Sequence, residues 1–100
     1  MKLVGKTIDD RLVVDGVYMF HSTYGLPLEV IFDELKENYM IPCWMSLYVE
    51  SINQGEVWQR FRNSLFVYIE GSYGTQISMT VINVLDQIER IRVEYETNQG

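Results

Sequence analysis

The stretch that decides the fold is YGLPLEVIFDELKENYMIP, residues 24–42. Gly25 and Pro27 mark the entry to a helix, since a proline in the first helical turn loses no hydrogen bond. Pro42 marks the exit and can open the next helix. Between them the apolar residues recur at spacings of three and four, on one side of an α-helix. They are Leu28, Ile31, Phe32, Leu35 and Tyr39. The pattern predicts an amphipathic packing helix without obvious catalytic chemistry.

The same helix has an acidic edge beside its apolar stripe. Glu29, Asp33 and Glu37 recur every four residues, so their carboxylates lie along one side of the helix. Such a run is most often a solvated face. The functional interpretation is a docking edge for a basic partner, and these three residues are the first candidates for partner binding.

Similar periodicities predict four further helices. They cover about residues 8–23, 42–53, 56–69 and 75–94. Gly16 would lie inside the first of these, at a cost of about 1 kcal/mol against alanine. The helix at 42–53 is apolar most of the way round, which indicates a central position or an interface. We therefore expect an all-α fold, a compact bundle of about five short helices.

The length of 100 residues fits one domain over residues 1–100, which buries roughly 60–70% of the unfolded chain's surface. Residues 1–6 are expected to form a short, flexible arm, and residues 96–100 a frayed tail. No linker, repeat or low-complexity tract divides the chain. The sequence thus indicates a single helical unit with loose ends.

Two segments allow a β interpretation. LFVYI at 65–69 is rich in β-forming residues and could pair with 76–81 around the Gly71–Gly74 break. That alternative is an α+β fold with a hairpin at 65–81. In addition, LVVDGVYMF could form two strands around the Asp15–Gly16 turn.

Charge and cysteine content narrow the function classes. Fourteen acidic residues against eight basic ones give a net charge of −6, a sign that repels nucleic-acid phosphates. We therefore expect no direct nucleic-acid partner. A single cysteine excludes an intrachain disulfide and multi-cysteine metal sites. No signal peptide or membrane-spanning run is evident, so we expect a reducing host-cell cytoplasm and no membrane association.

The residues with catalytic potential are few. A Cys–His pair would need His21 and Cys43 to meet in space, but Cys43 lies in a segment typical of core. Asp9, Asp10 and Asp15 lack a calcium-loop pattern. The Gly71-Ser72-Tyr73-Gly74 segment matches a KH-type GxxG loop, although a plain turn is the better interpretation. We accordingly predict no catalytic residue, no metal site and no cofactor.

Three residues in WQRFRN are of the types that anchor protein interfaces, namely Trp58, Arg60 and Arg62. The glycine–helix–proline outline before them could suggest a helix-turn-helix. Its reader would be the helix at 42–53, which contains no Lys or Arg to contact base edges. The predicted partner-binding residues are thus these three anchor residues and the three carboxylates of the acidic edge.

Residues 24–42, with a glycine after an aromatic residue, an acidic amphipathic helix and then Ile41-Pro42, resemble the central part of bacteriophage late-transcription coactivators. The resemblance covers about a fifth of the chain. It implies a small, helical, non-enzymatic protein that binds the host RNA polymerase. The family's acidic–hydrophobic clamp-docking tail has no counterpart in ETNQG at 96–100, so clamp binding does not carry over.

The leading functional hypothesis is a phage-encoded acidic protein that binds and modulates a host nucleic-acid-handling enzyme such as RNA polymerase. One alternative is an inhibitor of a host defence nuclease, of the anti-CRISPR or anti-restriction type, whose acidic surface occupies a nucleic-acid site. Another is a homo-oligomeric structural or assembly protein, for instance a homodimer formed through the third and fifth helices. A minor enzyme that uses His21 or Cys43 is the remaining alternative.

Overall fold

The computed structural model describes residues 1–99, and most of these residues are helical. The strands are β1 (Lys2–Lys6), β2 (Leu12–Asp15) and β3 (Met40–Pro42). The helices are α1 (Val17–Tyr24), α2 (Leu28–Glu37), α3 (Trp44–Asn53), α4 (Trp58–Tyr73) and α5 (Thr75–Gln99). The prediction of a mainly helical fold with five helices is confirmed for the described residues. The label all-α is incomplete because it leaves out a small sheet.

The three strands form one sheet in the order β1-β2-β3. β1 pairs antiparallel with β2, with an irregularity between Leu3 and Gly5, and its five residues are all exposed. β2 pairs parallel with β3, with Val13 opposite Ile41. A parallel pair needs a crossover connection, and α1 and α2 provide it. The expected arm at 1–6 thus contains the edge strand of this sheet, whereas Gly100 of the expected tail lies outside the described residues.

The predicted helix at 8–23 is wrong in its first half. Residues 12–15 are a strand, and Gly16 follows them in the left-handed region with φ of +79°. The Asp15 carboxylate accepts the Gly16 N–H at 2.8 Å, and Glu50 accepts the Met19 N–H in the first turn of α1 at 3.0 Å. Gly16 is therefore the residue that turns the chain from strand to helix, and α1 begins after it.

The apolar stripe of α2 is buried as its spacing predicts. Leu28, Ile31, Phe32 and Leu35 all lie in the core. The last expected member, Tyr39, lies beyond the helix with φ of +57° and is exposed. Pro42 belongs to β3 and does not open α3, which begins at Trp44.

The alternative hairpin at 65–81 is wrong. α4 continues without a break to Tyr73, and the chain reverses at Gly74, which has φ of +96°. Leu65 and Ile69 are fully buried on one side of this helix. The β-forming residues at 65–69 are therefore helical because the apolar spacing of α4 lets them pack in the core, and tertiary packing outweighs intrinsic propensity.

The core lies where the five helices and β2 meet. Its aromatic rings contact one another edge to face, with centroids 5.6 Å apart for Phe32 and Trp44 and 5.2 Å for Tyr48 and Trp58. The Tyr73 hydroxyl donates to the Met40 carbonyl at 2.8 Å and joins α4 to the sheet. Burial raises the pKa of Tyr73. Within residues 1–99, no helix has the length and apolarity needed to cross a membrane.

Candidate partner-binding surfaces

The acidic edge of α2, formed by Glu29, Asp33 and Glu37, is exposed along its whole length. The Ser72 hydroxyl of α4 donates to the Asp33 carboxylate. Among the described residues, no Lys, Arg or His side chain forms an ion pair with any of these three carboxylates. Their charges are therefore available to a basic partner, and the four-residue spacing that suggested this edge is preserved on a regular helix.

Trp58 and Arg62 are held by the chain itself. Trp58 is 2% exposed, and its indole N–H donates to Asp86 Oδ1 at 2.8 Å. Arg62 donates from Nε to the same oxygen at 2.8 Å and from Nη2 to Oδ2 at 2.7 Å. These hydrogen bonds from Arg62 hold the pKa of Asp86 below its usual range. The cluster of Trp58, Arg62 and Asp86 thus joins α4 to α5.

A second polar cluster joins α3 to α5. The Tyr48 hydroxyl donates to Glu89 Oε1 at 2.6 Å, and Arg92 donates to both Glu89 oxygens at 2.9 and 3.0 Å. The Arg92 hydrogen bonds lower the pKa of Glu89. A groove of about 430 Å³ between α4 and α5 runs past Asp86 and Glu89, and the charges of these two carboxylates are already paired with arginines.

Arg60, the third predicted anchor, is exposed and lies apart from the other two. It borders a groove of about 420 Å³ together with His21, Glu56, Ser64 and others. Glu56, which lines the same groove, accepts a hydrogen bond from the Tyr18 hydroxyl at 3.0 Å. Burial, assisted by Glu56, raises the pKa of Tyr18 to about 12. Of the predicted anchors, Arg60 is the one whose charged group is exposed for a partner.

The only histidine and the only cysteine of the chain are held by different neighbours. His21 Nδ1 contacts the Leu26 carbonyl, and its ring packs against Tyr18. Cys43 precedes α3, where its Sγ accepts a hydrogen bond from the Ser46 hydroxyl at 3.3 Å. The geometry therefore does not assemble the thiol–imidazole pair that a cysteine nucleophile requires.

An apolar groove between α3 and α5 was not among the predicted sites. It has a volume of about 200 Å³ and a nearly all-apolar lining. Its walls include Met45 and Val84, which are 45% and 48% exposed. Two signals in the sequence pointed to it: the apolar second side of α3 and the long apolar period of α5. α3 and α5 are the two helices through which the homodimer alternative pairs copies of the chain.

The glycine pair at 71 and 74 does not form a nucleic-acid clamp. Gly71 lies within α4 and Ser72 is buried, so the chain turns only at Gly74. In the part of the chain that the structure describes, no three His, Cys, Asp or Glu side chains are grouped as metal ligands would be. No protein-family model matches the chain, and neither the curated proteins nor the solved structures include a significantly similar one.

Proposed function

We propose that this protein is a phage-encoded, non-enzymatic binding protein that docks its acidic edge on a host nucleic-acid-handling enzyme and modulates it. RNA polymerase is the first candidate partner. The observation that carries the proposal is the exposure of Glu29, Asp33 and Glu37 without neutralising ion pairs among the described residues. A basic channel of a nucleic-acid enzyme has the complementary charge.

The packing of α2 against the core favours partner binding through the acidic edge. Leu28, Phe32 and Leu35 anchor the helix from its buried side, so the carboxylates on the other side are held about 6 Å apart along the helix axis. A row of charges on a rigid helix loses little conformational freedom on binding. The edge therefore offers a partner a preorganised anionic strip.

The net negative charge of α2 also favours binding to a positively charged partner. The helix carries four acidic residues and one lysine, a net charge of 1 − 4 = −3, and it contributes half of the chain's net −6. Long-range attraction to a positively charged cleft would raise the association rate, and this effect falls as salt screens the charges. The resemblance of residues 24–42 to the polymerase-binding coactivators points to the same class of partner.

The direct test is affinity capture. The tagged chain is incubated with bacterial lysate, and the retained proteins are identified by mass spectrometry. We expect a polymerase subunit or another nucleic-acid enzyme, with retention that declines from about 0.1 M to about 1 M salt as the Debye length falls from about 10 to about 3 Å. Recovery of no stable partner would contradict the proposal.

A matched pair of variants tests the edge itself. Glu29→Lys with Glu37→Lys reverses two charges on α2, whereas Glu70→Lys with Glu94→Lys makes the same change at exposed sites on α4 and α5. We expect the first pair to weaken capture at least tenfold and the second to change it little. Equal losses would mean that only net charge matters and that α2 is an ordinary solvated face.

The nuclease-inhibitor alternative uses the same strip, because a regular row of carboxylates can occupy a site built for phosphates. It predicts a different competition result. A double-stranded DNA fragment would displace the chain from a nuclease whose nucleic-acid channel it fills, and the captured nuclease would be inactive while the chain is bound. A captured partner that binds DNA and the chain together, with full activity, would exclude this alternative.

A further inference from the structure

α5 has two apolar stripes; the fold buries the first completely and the second only in part. The first contains Ser78, Ile82 and Leu85, which are buried against the rest of the domain. The second stripe consists of Ile77, Val81, Val84, Ile88, Ile91 and Tyr95. Ile91 and Tyr95 are each 65% exposed, and Val84 is also exposed. Ile77, Val81 and Ile88 are half-buried and pack against the core. The other three residues, Val84, Ile91 and Tyr95, have no covering element within the described chain.

The spacing of the residues in the second stripe is typical of a helix that packs against a second helix. Its six residues are separated by four, three, four, three and four positions, which is a heptad pattern with apolar a and d positions. A repeat of 3.5 residues keeps its apolar seam facing a second helix along the whole length. The second stripe therefore has the pattern of a helix that packs against another long helix.

We propose that a second copy of this chain covers the second stripe, with the two α5 helices antiparallel across a two-fold axis at the level of residue 86. The stripe is symmetric about that level. Val84 then faces Ile88 of the second copy, Val81 faces Ile91, and Ile77 faces Tyr95. Every a position meets a d position, and the interface is self-complementary, as two-fold symmetry requires. The inference is independent of what the acidic edge of α2 binds.

Side-chain volume favours the antiparallel arrangement over the parallel one. In the antiparallel pair, each valine of the second stripe faces an isoleucine, so the layers are similar in size. A parallel pair would stack Val84 on Val84 and Tyr95 on Tyr95, which leaves thin and thick layers in one interface. Facing positions that alternate small and large side chains fill space more evenly.

The residues that flank the second stripe contain no like-charged contact in this arrangement. One flank carries Thr80, Gln87 and Glu94. Across the two-fold axis Thr80 lies near Glu94 of the second copy, and the two Gln87 amides lie near each other, where they can exchange hydrogen bonds. Each chain has a net charge of −6, yet this flank brings no two carboxylates together across the interface.

The surface is large enough for a specific dimer. From Ile77 to Tyr95 the stripe is about 27 Å long at about 1.5 Å per residue. The exposed Met45 of α3 lines the groove beside α5. Where α3 lies beside α5, it widens the surface to about 20 Å, the width of two packed helices. About 500 Å² per copy, or about 1,000 Å² in total, reaches the size that separates specific interfaces from incidental contacts.

The test is the solution mass of the full chain, measured by analytical ultracentrifugation over a hundredfold concentration range. We expect the mass of two chains, and a shift toward one chain for Val84→Glu with Ile91→Glu, with at least a tenfold weaker dimer. Met79→Glu with Val67→Glu is the control, since both residues are about 60% exposed on other faces, at 59% and 60%. A monomer at every concentration, or a dimer that both variant pairs weaken equally, would overturn the proposal.

Disulfide cross-linking tests the direction of the two helices. In a Cys43→Ser background, Gln87→Cys should cross-link two chains on mild oxidation, because the two-fold axis brings the two residues together. Ile91→Cys should cross-link poorly, because it faces Val81 of the second copy. Strong cross-linking through position 91 and none through position 87 would indicate a parallel pair and would contradict the antiparallel dimer.

Discussion

Trp58 and Asp86 are separated by 28 positions, yet the indole N–H of the first donates to the carboxylate of the second at 2.8 Å. The same carboxylate accepts two hydrogen bonds from Arg62. A buried tryptophan at the start of α4 thus shares one acceptor with a half-buried arginine one turn later. Asp86 is therefore the shared acceptor that ties these two side chains of α4 to α5.

Asp86→Ala should destabilise the fold by about 2–3 kcal/mol, since it removes charge-assisted hydrogen bonds and leaves the buried Trp58 N–H without its acceptor. Urea unfolding followed by tryptophan fluorescence measures the change. Asp9→Ala is the matched control, because Asp9 is exposed and its ion pair with Arg11 lies at the surface, where such pairs add little stability. Equal destabilisation by the two variants would contradict the role assigned to Asp86.

The stability of the fold should decrease in acid. The hydrogen bonds from Arg62 and Arg92 lower the pKa of Asp86 and Glu89 in the folded chain, so the unfolded chain takes up these protons first as the pH falls. The contribution of these two carboxyls to the free energy of unfolding is therefore complete above the ordinary carboxyl pKa of about 4. It decreases as the pH falls below that value.

Asp86→Asn tests this pH dependence, because it removes one of the two carboxyls without changing the side-chain size. Urea unfolding from about pH 6 to about pH 3 should show a shallower acid decline for the variant than for the natural chain. Parallel curves would mean that Asp86 takes no part in the linkage between protonation and folding.

Gly16→Ala should destabilise the fold by about 1 kcal/mol, because a side chain at φ of +79° is strained. The new Cβ would lie 3.7 Å from Met1 Cα, an ordinary contact, so strain and not collision sets the cost. Gly71→Ala, inside α4 with open space around it, should stabilise by about 0.5–1 kcal/mol. Thermal unfolding that gave both variants the same sign would contradict this account.

Leu65→Ala should cost about 2–5 kcal/mol, because Leu65 is fully buried and the truncation leaves a cavity in the core. Val67→Ala, two residues away on the exposed side of α4, should change stability by less than about 0.5 kcal/mol. Urea midpoints measure both. Similar losses would indicate that the 65–69 segment is not packed as a helix with one buried side.

The helices could be predicted from the sequence because each carries its own apolar period, as Leu28, Ile31 and Leu35 do in α2. The alternative interpretation of LVVDGVYMF contained β2 but wrongly paired it with residues that form α1. The pairing of the sheet could not be predicted, since β2 and β3 have four and three residues and are held together across a long connection. The exposed edge of α2 followed from its spacing. The hydrogen bonds of Trp58 and Arg62 to Asp86 could not be predicted from the sequence, because a contact across 24 to 28 positions leaves no local pattern.

The sheet itself ends at β1, whose outer backbone groups have no partner strand among the described residues. Leu3 and Val4 are exposed on this edge, and Lys2 and Lys6 stand at its two ends. Lysines at an edge strand oppose stacking with the same strand of another molecule, because like charges would meet. Acetylation of these two lysines would remove the charges that oppose edge-to-edge pairing of β1, without altering any contact of the core.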